Sequence, residues 1–140
     1  MPVQFVLLPL FVQVILTFVL LFWLAPLCGA DFKRGVRKSD IALGQPNWSP
    51  RAQQVANCFD NQLQLPVLFY VLTILSIIMR HADVVFVVLA WIFVLSRLVH
   101  AYVHTTSNNV NARGAIFGIG GVTLLIAWVI FMVRILAGLA

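Results

Sequence analysis

Four long apolar runs dominate the chain, separated by short polar tracts. The runs cover Val3 to Leu27, about Val55 to Met79, Val84 to Val103 and Ala115 to Leu139. Each is close to the ~20 residues an α-helix needs to cross a bilayer. Ser49 followed by Pro50 moves the start of the second helix upstream, because serine suits an N-cap and proline at the first helical position has no N–H to leave unpaired. The predicted helices are therefore about 3–27, 50–79, 84–104 and 115–139, a single four-helix transmembrane domain over residues 1–140. "RHAD", Arg80 to Asp83, is so short that helices two and three must be antiparallel neighbours. The third connection, "TTSNNVNARG", is polar and turn-rich, and "GIGG" at Gly118 to Gly121 offers small residues at which helices approach closely in lipid.

Composition agrees with this all-α membrane protein, a four-transmembrane-helix bundle. The 140 residues are 62% hydrophobic and only 9% charged, with a mean hydropathy of +1.02, far from the ~25% charged of a soluble domain. The first run is read as a retained helix and not a signal peptide. Met-Pro-Val-Gln supplies no positive start, and the run exceeds the ~7–15 residue core of such a signal. Cys28 and Cys58 form no C-x-x-C pair, which leaves neither a disulfide framework nor a zinc site to argue from.

Nine Lys and Arg against four Asp, with no Glu, give a net charge of +5. An excess of this kind can signal nucleic acid, but its position argues for a membrane. Lys33, Arg34, Arg37, Lys38 and Arg51 border or occupy the first connection, and Arg113 lies in the third. By the positive-inside rule the first and third connections are cytoplasmic and both termini lie outside, with anionic headgroups of the lipid bilayer as contacts and no nucleic acid partner. Asn47-Trp48-Ser49 fits a glycosylation sequon, but a cytoplasmic loop does not meet that machinery.

The remaining polar residues concentrate in two half-helices that this topology places side by side. Arg51, Gln54, Asn57, Asn61 and Gln64 recur at three- and four-residue steps on helix two, with Asp60 beside them; Arg97, His100 and His104 do so on helix three. At ~1.5 Å per residue Asn61 and Gln64 lie roughly 15–20 Å into the bilayer and Arg97 about 10 Å from its helix end. An arginine that deep facing lipid costs ~2.5 kcal/mol or more, so it needs partners, of which Asp60, Asn61 and Gln64 are the available ones. Two readings stay open: an interhelical hydrogen-bond clamp, or a cytoplasmic-side pocket for an anionic, hydrogen-bonding ligand. Three cationic candidates, Arg51, Arg97 and Arg113, favour the pocket.

"NQLQLPVLFY" on helix two, "RLVHAYVH" on helix three and an arginine opening helix four resemble the MAPEG family, the membrane-associated proteins in eicosanoid and glutathione metabolism. The resemblance covers the chain from about Arg51 into the fourth helix. It implies a homotrimer of four-helix protomers of bacterial type, in a bacterial inner membrane, binding glutathione as cofactor between protomers near the cytoplasmic side. Asn61 and Pro66 match the family's helix-two motif, and Gln64 stands where that motif has glutamate. Arg97 and His100 match the helix-three arginine and histidine, and His104 replaces a tyrosine found in several members. Arg113 matches the arginine credited with stabilising the glutathione thiolate, the catalytic role. The expected glutathione site is thus Arg51, Asn61, Gln64, Arg97, His100 and His104, with Arg113 as the activating group. Gln64 cannot carry the charge of a glutamate, and Asp60, one turn away, is the nearest substitute.

The implied function is a glutathione-dependent transferase or peroxidase acting on small lipophilic electrophiles. The alternative is a non-catalytic oligomeric scaffold or lipid-binding protein of the same fold. A proton path through Asp60, His100 and His104 is blocked by apolar outer half-helices. His100 and His104 share one helix face, which does not suit the two sides of a haem, and no third ligand completes a metal site.

Overall fold

The computed structural model describes residues 2–43 and 47–138. In chain order the helices are α1 (Val3–Lys33), α2 (Lys38–Ile41), α3 (Pro50–Asn61), α4 (Leu65–Ile78), α5 (Val84–Thr105) and α6 (Val110–Leu136). Among the described residues four units are long and apolar enough to cross a membrane: α1, α3 with α4, α5, and α6. The protein is an all-helical, multi-pass integral membrane protein. Contacts at the two ends fix an alternating order of spans. At one end Asp31 Oδ2 of α1 accepts the Ser49 amide at 2.8 Å, and Arg51 of α3 donates to the Thr105 carbonyl of α5. At the other, the Asp83–Arg134 ion pair of 2.9 Å ties the start of α5 to the end of α6.

Element boundaries depart from the hydropathy reading where a polar residue finds a distant partner. α1 continues past Leu27 to Lys33 because Asp31, 2% exposed, is held by the Ser49 amide. Gly35, at φ 107°, then turns the chain away. Ser49 caps α3, its hydroxyl accepting the Ala52 amide at 3.3 Å, with Pro50 first in the helix. α6 starts at Val110 and not Ala115, since Asn109 Oδ1 accepts the Asn111 and Ala112 amides at 3.0 and 3.3 Å. Arg113 therefore sits in the first turn of a helix. The expected end of that helix, Leu139, lies outside the described residues.

α5 is the central element. Its Phe86, Ala90, Phe93 and Val94 are buried against Val6 of α1, Phe69 and Leu72 of α4 and Leu124 of α6. The Phe69 and Phe93 rings lie 5.1 Å apart. Between α5 and α6 the backbones come close at Gly120, where a Cβ would lie 2.7 Å from Ser96 Oγ. Lipid tails are as apolar as this core, so close packing and dispersion hold the spans together more than transfer from water does. Phe5, Phe11, Phe18 and Phe22 stay exposed along the outer side of α1, as a lipid-facing surface requires.

Candidate functional site

Pro66 shapes the site by interrupting the second span. Its missing N–H removes the donor for the Gln62 carbonyl, and its ring crowds that turn. The sequence predicts one helix over 50–79; the structure has a full break at 62–64 between α3 and α4. The end of α3 tightens to a three-residue step, with Gln62, Leu63 and Gln64 amides donating to the Phe59, Asp60 and Asn61 carbonyls at 3.0, 3.0 and 3.3 Å. Asn61 is thus the last residue of α3, and Arg97 Nη2 donates both to its Oδ1 and to its carbonyl, the latter at 3.5 Å.

Arg97 is 1% exposed, and its Nε and Nη1 have no hydrogen-bond partner among the described residues. Its guanidinium carbon lies 5.9 Å from the centre of the Phe117 ring, within cation–π range. One and two turns along α5, His100 and His104 are buried, their rings edge to face at 5.5 Å, and His100 also meets Phe117 at 6.0 Å. Nδ1 of each histidine is likewise without a partner. Arg113 Nη1 donates to Asn108 Oδ1 at 2.8 Å, and its buried Nε is unmet. Asn61, His100, His104, Arg113, Gly114 and Phe117 line a cleft of about 260 Å³, with Arg97 behind its wall.

Helix periodicity places the other expected residues elsewhere. Residues 51, 54, 58 and 61 face α5, whereas Asn57 and Asp60 lie on the exposed side of α3 and Gln64 lies in the break beyond it, so these polar residues do not share one face. Arg51 donates to the Thr105 carbonyl and lies 4.7 Å from the centre of the Trp23 ring, while Gln54 Nε2 donates to the His104 carbonyl at 2.7 Å. These two side chains cap the C-terminus of α5, where carbonyls lack helical donors and the dipole favours a cation. Asn57, Asp60 and Gln64 are exposed; Gln64 Oε1 accepts Asn61 Nδ2 at 3.2 Å from the rim of the site. The sequence reading overlooked Phe117, although it stands four residues after Arg113 and so on the same face of α6.

Chemically, the cleft is a set of donors without a carboxylate. The Arg113 guanidinium and two imidazoles line it with Asn61 and one aromatic face, and the Arg97 guanidinium lies behind that wall on Asn61 and Phe117, an arrangement that suits an anionic ligand with further acceptor groups. No curated protein and no solved structure matches the chain. The model of the MAPEG family matches residues 6–133, a span that takes in all four membrane crossings and every residue of the cleft, and the chain belongs to that family.

Proposed function

We propose that this protein is a glutathione-dependent transferase or peroxidase acting on lipophilic electrophiles, with glutathione held on the cytoplasmic side of a homotrimer. The observation that carries the reading is the lining of the cleft, Asn61, His100, His104 and Arg113 with no carboxylate among the described residues, and behind its wall the buried Arg97, whose Nε and Nη1 are unmet there. Glutathione offers two carboxylates and two peptide groups, which match guanidinium forks and an amide. When bound, it supplies a thiol nucleophile. Arg113, in the lining of the cleft, would hold that thiol as thiolate, since a neighbouring cation lowers a thiol's pKa. Asn61, Arg97, His100 and His104 orient the peptide, with Gln64 at the rim.

An apolar cavity of about 430 Å³ between α4 and α6, lined by Leu65, Leu68, Gly121, Leu125 and Trp128, supports a lipophilic second substrate. Gly121 follows the cleft residue Phe117 by one turn of α6, which sets the two spaces one above the other along that helix. Exposed Asn57, Asp60 and Gln64 on the outer side of a membrane span support contact with another protomer, because a polar face toward lipid is costly. Exposed Lys33, Arg34, Arg37 and Lys38 support a cytoplasmic first connection. Arg51, engaged at the end of α5, is not assigned to the ligand.

The scaffold reading is favoured by one contact, Arg97 to Asn61, which joins α5 to the end of α3 as a clamp would. Turnover separates the two. Wild type in lipid nanodiscs is expected to conjugate glutathione to an apolar chloronitroaromatic compound. Arg113→Ala should lower kcat about 10²-fold, as for removal of one charge-stabilising donor. Rates equal to the protein-free background in folded wild type overturn the enzymatic reading.

A further inference from the structure

A second polar contact lies outside the cleft and crosses the bundle. Gln13 of α1 and Gln62 of the break are both 0% exposed, and Gln13 Nε2 donates to Gln62 Oε1 at 2.8 Å. Gln62 Nε2 in turn donates to the Cys58 carbonyl at 3.0 Å. In a regular α-helix that carbonyl would receive the Gln62 amide, but here the amide goes to Phe59 at 3.0 Å. The Gln62 side chain therefore replaces the backbone donor that the tightened turn withdraws from Cys58. Gln13 fixes the rotamer that makes this substitution possible. Its own Oε1 has no partner among the described residues, so leucine would fit an apolar α1 with less penalty, and the amide is poorly explained by stability alone.

From these contacts we infer that Gln13 is a positioning residue for the ligand cleft. It acts through Gln62 to hold the end of α3 in the broken geometry that presents Asn61 Oδ1 and the Asn61 carbonyl to Arg97. The connection runs from α1 to α3 to α5: Gln13 to Gln62, Gln62 to Cys58, the closing turn to Asn61, and Asn61 to Arg97. Leucine at both positions removes the amide pair together with the unmet Gln13 Oε1 and leaves one new orphan, the Cys58 carbonyl, so one unpaired acceptor is exchanged for another and the net change in stability is small. It also removes the bond to the Cys58 carbonyl, so the α3 end is free to relax even though the bundle stays packed.

This inference rests on the proposed glutathione site, and two readouts keep them separate. The full chain in detergent is compared as wild type, Gln13→Leu and Gln13→Leu/Gln62→Leu. The double variant is expected to melt within about 3 °C of wild type. Its glutathione affinity should fall about tenfold, and amide exchange in peptides covering 58–65 should rise about tenfold while α6 is unchanged. Gln13→Leu should show the same two effects with a lower melting temperature, because it leaves Gln62 Oε1 unmet. In either folded variant, affinity or exchange at its wild-type value overturns the inference. If wild type itself binds no glutathione, the proposed function falls, and the exchange comparison alone decides whether the pair holds the break.

Discussion

Replacing Asn61 by leucine should damage the protein more than its half-exposed position indicates, because the loss is borne by Arg97. Arg97 is 1% exposed, and Asn61 Oδ1 is its one side-chain acceptor among the described residues; the Asn61 carbonyl at 3.5 Å is a weak second. Interhelical hydrogen bonds between neutral groups in membrane proteins average ~0.6 kcal/mol. A bond to a charged group is worth ~1.5–3 kcal/mol, and orphaning a buried charge costs up to ~3–5 kcal/mol. The partner here is neutral, so the lower range applies, about 2 kcal/mol. For a chain of this size that is roughly 6–10 °C in melting temperature. Arg97→Met removes the charge itself, so Asn61→Leu/Arg97→Met should recover most of the loss. The double-mutant cycle should give a coupling of about 2 kcal/mol. Detergent-solubilised protein followed by circular dichroism suffices. Asn61→Leu melting within about 1 °C of wild type, or a double variant no more stable than the single, refutes the reasoning.

Two further outcomes follow from the ends of the spans. Asp83 divides its carboxylate, Oδ1 capping the Phe86 amide at 3.0 Å and Oδ2 pairing with Arg134 at 2.9 Å. Burial opposes its charge, but the Phe86 amide and Arg134 outweigh it and hold the carboxyl below its ordinary value. A depressed folded-state pKa stabilises above the unfolded value and is lost as pH falls through the folded one. The melting-temperature gap between wild type and Asp83→Asn should therefore be constant at neutral pH and close below about pH 4. Asparagine still caps, so that gap reflects only a half-exposed ion pair, about 0.2–1 kcal/mol; Asp83→Ala should add about 1 kcal/mol more. Arg51→Ala uncovers the Thr105 carbonyl and should cost about 1 kcal/mol in thermal stability. Its glutathione affinity by calorimetry should stay within about twofold of wild type, and a larger loss would place Arg51 at the ligand after all.

Hydropathy made the four spans legible, and local chemistry made the Ser49–Pro50 start of α3 legible, because both depend on residues close together in sequence. The burial of Arg97 was legible for a different reason: a guanidinium at that depth in a bilayer must turn inward wherever its partner lies. What escaped the sequence reading depends on contacts across long separations. Asp31 extends α1 because it meets Ser49, and nothing near Leu27 signals that. Arg51 and Gln54 share periodicity with Asn61, yet the end of α5 passes close enough to take them as caps. Pro66 announces a disturbance in the second span, but whether it kinks or breaks depends on Gln62 finding Gln13 on another helix. Gln13 did carry a signal, as an amide set inside the apolar run of α1, away from either end of the helix. It has meaning only once α1 is packed against α3.

In the proposed function the cleft between Asn61, the α5 histidines and Arg113 holds glutathione. The most direct test is the melting temperature of the folded wild-type protein across a glutathione titration, beside Arg113→Ala. A ligand that binds only the native state at about 100 times its Kd adds about 2.7 kcal/mol. Wild type should show a saturable rise of that order, and Arg113→Ala a flat or strongly right-shifted curve. A flat curve in wild type, or equal saturable curves in both proteins, contradicts it.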